Sequence, residues 1–191
     1  MTDKLITQMI EWGIISEEEI DIYQFGLDVL FLKLFHYISY LLIAIFCGRL
    51  VDFIVFFLAY LCLRKNAGGY HSETKWGCYI WSCLTVIVVV LIMKYVTMHN
   101  DLIIMSSVYF IIADFVIILF APLENRNRGL DKEERMHFRK RTVLVLITEN
   151  ILILLFLIIF KSHYAIPLIL AVVCQAILLL LQKIKDNKYT F

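Results

Sequence analysis

The chain has 191 residues, is 61% hydrophobic and has a mean hydropathy of +0.81. Soluble domains are about 45–50% apolar, so a soluble globular protein is excluded. A formal charge of +1 identifies no partner by itself; where the charges fall says more. Five cysteines without a C-x-x-C pair argue against a disulfide framework and a structural zinc site, and no metal, nucleotide or other cofactor motif is present.

The N-terminus is polar and acidic, with no small-residue cleavage site after an early apolar run, so the first span is expected to act as its own insertion signal. Residues 1–28 do not span. Leu5, Ile6, Met9, Ile10 and Trp12 recur at helical spacing, which predicts an amphipathic helix in the membrane interface, ended by Gly13. Ser16 with Glu19 spells a capping box, and Ile15 with Ile20 a hydrophobic staple. A second helix should therefore start at Ser16 and lead into the first span.

Six hydrophobic stretches follow, at about residues 29–47, 51–63, 79–93, 102–121, 143–160 and 164–181. A span needs roughly 20 residues. The second stretch is short, and reads either as a tilted or half-buried helix or as one extended by Arg49 and Leu50, with Arg64 snorkelling at its far end. Short connectors at 48–49 and 161–163 make antiparallel hairpins. The fold class expected is an all-α polytopic integral membrane protein with about six hydrophobic helices and an N-terminal amphipathic helix. It forms a single membrane-embedded domain over 1–191: an N-terminal segment 1–28, membrane helices within 29–182 with loops at 64–77 and 122–142, and a tail at 183–191.

Lys and Arg set the orientation. With the N-terminus in the cytosol, fourteen of them fall inside and three outside (Arg49, Lys94 and Lys161), while Lys33 lies within a span. The 64–77 loop is then cytosolic, where thiols stay reduced.

That loop and the residue after it read RKNAGGYHSETKWGC, from Arg64 to Cys78, and hold Gly68, Gly69 and Gly77, three of seven glycines. The glycines imply a tight turn or a close backbone approach. His71 and Cys78 supply imidazole and thiol, the minimal base and nucleophile for acyl transfer. Residues seven apart in a straight helix are separated by about 10.5 Å along its axis, whereas a hydrogen bond needs about 2.6–3.2 Å. If the two act together, the chain between them is not a straight helix. His71 is expected on the loop and Cys78 in the first turns of the next helix, capped by Ser72 or Thr74, where a reactive thiolate is favoured. Cys47, Cys62, Cys83 and Cys174 lie in apolar runs and read as small buried hydrophobes. Triad logic asks for a third, orienting residue, for which Asn66, Glu73 and Asp114 stand open. Asp52, Asp114 and Glu149 are ionisable groups within spans and count as functional by default, although Asp52 is expected near the outer interface and hydrated.

The run Arg64, Ala67-Gly68-Gly69-Tyr70-His71, Cys78 resembles the signature of the AgrB family, membrane-embedded cysteine endopeptidases of Gram-positive quorum-sensing systems. A second match, Ala121-Pro122 followed by Glu124, Asn125 and a basic loop, resembles the family's A-P motif after its fourth hydrophobic segment. With length and span pattern, the resemblance covers most of the chain. It implies His71 and Cys78 as the catalytic pair, an AgrD-type peptide precursor as substrate, a homodimer, and no cofactor. Candidate substrate contacts are Arg64 with Gly68 and Gly69, which either let a peptide backbone come close or form a turn. Arg135, Arg139 and Arg141 of the basic loop are further candidates, acting on anionic headgroups, an acidic peptide, or both. The expected partners are that peptide and the bilayer, not nucleic acid. The implied reaction is removal of the precursor's C-terminal tail through a Cys78 thioester. The precursor's own Cys then displaces the thioester to close a thiolactone, or its Ser a lactone. A membrane peptide transporter would show glycines and prolines breaking corresponding spans; Pro167 and few glycines do so here. A non-catalytic scaffold leaves the Gly-Gly-Tyr-His…Cys loop unexplained.

Overall fold

The computed structural model describes residues 2–70, 72, 74–98, 101–123, 129–159 and 163–188, and every regular element among them is helical. The chain forms two compact units, residues 1–43 and 44–191. The first holds α1 (Thr2–Glu11), a 3-10 turn (Glu17–Glu19) and most of α2 (Ile20–Phe46). Ile6 and Ile15 are buried within it. The carboxylate of Glu19 accepts from the Ser16 N–H and the Ser16 hydroxyl, both at 3.0 Å. Those two bonds, the backbone one first, hold Glu19 below the ordinary carboxylate range. This is the capping box foreseen at Ser16, and the turn it starts runs directly into α2, which begins well before residue 29.

The second unit contains α3 (Leu50–Ala67), α4 (Lys75–Met98), α5 (Asp101–Phe120), α6 (Lys132–Leu154) continued by a π-helical turn (Leu155–Ile159), and α7 (Ala165–Lys188). Its core is built around α7, which packs against α3, α4, α5 and α6. Two thirds (67%) of the apolar window of α7 is buried, against 22% for α4 and for α6 with its turn. The reason is in its sequence. Ala165, Ala171 and Ala176 are buried and small, so neighbouring backbones approach closely, the usual way helices associate where lipid removes the hydrophobic drive. The outward faces of the other helices are apolar and exposed, for example Val88, Phe115, Ile147 and Ile158. In water a surface of this kind would be untenable.

Among the described residues, α2, α4, α6 with its turn, and α7 are long and apolar enough to cross a membrane. Helix α3 has 18 residues and carries Asp52, Arg64 and Lys65. Within α5, Tyr109–Phe120 is a shorter apolar stretch, and it carries Asp114. The protein is an all-α polytopic membrane protein.

Two expectations need correction. The 122–142 stretch is not all loop, because α6 starts at Lys132. Asp131 caps it, accepting from the Lys132 N–H at 2.6 Å, and Glu134 completes a capping box. Arg135, Arg139 and Arg141 thus stand on the first turns of a helix, exposed. Asp52 is not hydrated: it is 6% exposed, paired with Arg49 at 3.0 Å and 3.7 Å from His163. A carboxylate at the end of an apolar bundle is tolerable when a cation, here Arg49, meets it there. This pairing ties the start of α3 to the start of α7 at one end of the unit. At the opposite end, the Leu123 N–H donates to the Ala67 carbonyl at 3.0 Å, after a cis Ala121-Pro122 bond.

Candidate active site

Helix α3 ends at Ala67 and α4 begins at Lys75, so the chain between His71 and Cys78 is not one straight helix. Thr74 caps α4. Its hydroxyl oxygen accepts from the Gly77 N–H at 3.0 Å, and its carbonyl accepts from the Cys78 N–H at 3.0 Å. Of the two caps expected, Thr74 is the one used. Cys78 thereby sits in the first turn, half-buried, with the helix N-terminal field around it. Ser72 folds over the same turn: a side chain at Gly77 would meet the Ser72 hydroxyl at 2.5 Å and the Thr74 hydroxyl at 2.7 Å. Trp76 and Tyr79 meet edge-on at 6.3 Å beside it.

The segment Gly68, Gly69, Tyr70 is fixed from three directions. The Arg64 guanidinium donates to the Gly68 carbonyl at 3.0 Å and also to the Tyr70 carbonyl. Gln175 of α7 donates to the Gly68 carbonyl at 2.7 Å, and the Tyr70 N–H donates to the Leu178 carbonyl at 3.2 Å. The Lys185 ammonium stands 5.4 Å over the Tyr70 ring, a cation–π contact from the same helix. Gly68 (φ +76°) and Gly69 (φ +137°) both adopt backbone that side-chain-bearing residues rarely enter. The space beside them is filled by the Leu123 carbonyl and the Arg64 guanidinium. Within the chain alone, the two glycines form a turn packed on the protein itself.

His71 and Glu73 lie outside the described residues, as do Glu124, Asn125, Arg126 and Arg128 of the basic stretch. Of the other candidates for a third residue, Asn66 turns back to the Cys62 carbonyl at 2.8 Å. Asp114 accepts from Asn150 of α6 at 2.8 Å, and Glu149 is buried on the same helix as Asn150. Cys174 is buried, whereas Cys47 and Cys83 are half-buried and Cys62 is exposed along α3; the expectation that all four are buried holds only for Cys174. Gln175 was missed by sequence reasoning. Its signal is an uncharged polar residue in the middle of an apolar run, weaker than a carboxylate in the same place.

An apolar groove of about 390 Å³ runs between α4 and α7, lined by Tyr70, Trp81, Thr85, Val89, Cys174 and Leu178 among others. At 100° per residue, Cys78 falls on the α4 face that carries Trp81 and Thr85. The groove therefore lies along the continuation of the face that carries the thiol.

Arg64→Lys is expected to loosen the Gly68–Tyr70 segment while the chain still inserts. An ammonium is one compact point charge, and it cannot span two carbonyls as the planar guanidinium does. Hydrogen bonds from a charged donor are worth about 1.5–3 kcal/mol each, and the half-buried site keeps part of that value. Amide exchange at Tyr70 reads the loss directly; unchanged protection in the lysine variant would show that Arg64 does not hold the loop.

Residues 2–179 match the family model described as accessory gene regulator B. A protein named "Putative AgrB-like protein 2" from Clostridium perfringens (strain 13 / Type A) is 25% identical over 137 residues, covering 70% of this chain and 64% of its own length. "Putative AgrB-like protein" from C. perfringens (strain SM101 / Type A) is 25% identical over 150 residues, 76% of this chain and 70% of that protein. "Protein FsrB" from Enterococcus faecalis (strain ATCC 47077 / OG1RF) is 28% identical over 71 residues, 37% and 29% of the two chains. The match thus spans less than two thirds of the first relative's length. No solved structure matches the chain. With the family match running through nearly the whole sequence, the chain belongs to the accessory gene regulator B family.

Proposed function

We propose that this protein is a membrane cysteine endopeptidase of quorum sensing that trims and cyclises an AgrD-type peptide precursor. The observation that carries the reading is Cys78, half-buried in the capped first turn of α4 beside a glycine turn that is pinned to the bundle. Membership of the family supports the substrate class. In this reading the N-terminus and the site face the cytosol, as the Lys and Arg distribution favours.

The chemistry follows from thiol and imidazole. His71 takes the proton of Cys78, and the thiolate attacks the carbonyl before the precursor's tail. The tail amine leaves with that proton, and a thioester joins the rest of the precursor to Sγ of Cys78. The precursor's own thiolate then attacks the thioester, closes the thiolactone and frees Cys78; a Ser in its place gives a lactone. The second step exchanges one thioester for another and needs no nucleotide. Water has to be kept from the intermediate, and the apolar groove and the aromatic residues around Cys78 suit that requirement.

The test is capture of the intermediate. A precursor whose ring-forming Cys is changed to Ala should lose its tail about once per enzyme and remain on Cys78. Intact mass should show the adduct, and neutral hydroxylamine should remove it, as it does thioesters and not amides. Tail release with no adduct, even when the freed tail is degraded, would favour direct hydrolysis. An adduct on another cysteine would move the nucleophile.

The arginines of α6 are assigned to recruitment. Neutralising Arg135, Arg139 and Arg141 together should raise KM for an acidic-tailed precursor more than it lowers kcat, because a remote contact binds ground and transition state alike. Salt should shrink the difference, since exposed charges are screened within about 10 Å at 0.1 M. Equal loss with a neutral-tailed precursor would assign these arginines to topology instead.

A further inference from the structure

Gln175 ties the most buried helix to the segment that leads into His71. Its side chain has 0% exposure, and its amide donates to the Gly68 carbonyl at 2.7 Å. One turn later the Leu178 carbonyl accepts from the Tyr70 N–H. Residues three apart share a helix face, so α7 presents these two contacts as one edge against the glycine segment. A buried amide costs free energy unless its hydrogen bonds are made. Here the Oε1 of Gln175 is buried with no partner among the described residues. A leucine would fill the place without that cost, so a structural role in packing does not account for the amide.

Nor does the Gly68 carbonyl need it as a sole partner, since Arg64 already donates there. The two donors differ in where they are rooted. Arg64 hangs on a long side chain from the end of α3, four residues from Gly68, and holds the turn only relative to that end. Gln175 comes from 107 residues away, on the helix around which the unit is packed. It fixes the turn relative to the core.

We propose that Gln175 is a positioning residue for the Cys78 reaction: by fixing the Gly68 carbonyl on α7 it holds the Gly68–Tyr70 turn that precedes the Cys78 end of α4. This rests on the function proposed above, in which His71 is the base. Gln175 itself touches no reacting atom.

The test uses the full-length protein in detergent or nanodiscs with a tagged precursor. Gln175→Met keeps length and volume and removes the donor. It should lower kcat about 10- to 100-fold, the scale of a misplacement of about 1 Å, and leave KM nearly unchanged. Amide exchange at Tyr70 should accelerate while the thermal midpoint of the whole chain stays close to that of the parent. Gln175→Glu supplies the conservative variant. Its protonated carboxyl still has an O–H to donate to Gly68, whereas its carboxylate has none and repels that carbonyl. Activity relative to the parent should therefore fall as pH rises, within the pH range where the variant keeps the parent's thermal midpoint; the Arg64 guanidinium on the same carbonyl favours the carboxylate and so brings the fall to lower pH. Wild-type kcat in Gln175→Met, or a parental pH profile in Gln175→Glu, overturns the proposal. If the Met variant fails to fold, the pH profile of the Glu variant decides. Should the parent protein form no adduct on Cys78, the mechanism itself falls, and Tyr70 exchange still reports whether Gln175 holds the turn.

Discussion

Cys78→Ala should insert, fold and process no precursor, and His71→Ala should do the same. Losing a nucleophile or its base from an acyl-transfer site costs on the order of 10⁴-fold or more, because each is useless without the other. The alanine variants of Cys47, Cys62 and Cys83 should process normally, since Cys47 lies in the turn after α2 and Cys62 and Cys83 farther along α3 and α4, none of them in the capped turn. Cys174→Ala should cost about 1 kcal/mol of stability for its small buried cavity and little activity. Co-expression with a tagged precursor and a gel shift reads all six variants at once. Processing by the Cys78 variant would end the mechanism; processing by the His71 variant would transfer the base to another group.

Gly68→Ala should be the most damaging change that touches no reactive group. With φ +76° and ψ −153°, Gly68 sits where side-chain-bearing residues pay about 1–3 kcal/mol. The added methyl also runs into the Leu123 carbonyl. That obstacle is backbone and has little room to retreat: the Leu123 N–H is bonded to Ala67, and Pro122 precedes it. The turn must move, taking with it the carbonyl that Arg64 and Gln175 hold. Processing should be lost, with Tyr70 exchange accelerated. Gly26→Ala and Gly129→Ala make good controls, because nothing lies within 4 Å of a side chain at either. Parental kcat in Gly68→Ala would show that catalysis does not use this turn.

The spanning helices α2, α4, α6 and α7 were legible because each carries an apolar run longer than a soluble helix needs, and the caps at Ser16 and Thr74 because hydroxyl and carboxylate spacing is local. The start of α6 was also spelled locally, by Asp131 and Glu134, but the dense charge around them read as loop. Roles that depend on distant contacts were not legible. Arg64 reads as a group free to meet a peptide, and only the fold shows it spent on Gly68 and Tyr70. Asp52 reads as wet until Arg49 and His163 are seen beside it. Gln175 is invisible to a search for intramembrane charges, since an amide in a span is unremarkable until its partner is known. Cys78 stands out in the sequence through its motif and its neighbourhood, both of which lie within a few residues of it.

The turn at Gly68 draws one hydrogen bond from the end of its own helix and another from a helix made 107 residues later. A ribosome adding about 5–20 residues per second takes roughly 5–20 s to cover that distance. Through that interval α3 and α4 are already in the bilayer, with Cys78 in place but the turn lacking its second anchor. The second anchor of the turn is thus supplied only once α7 has been made, so a chain that stops short of α7 carries Cys78 beyond a turn held by Arg64 alone.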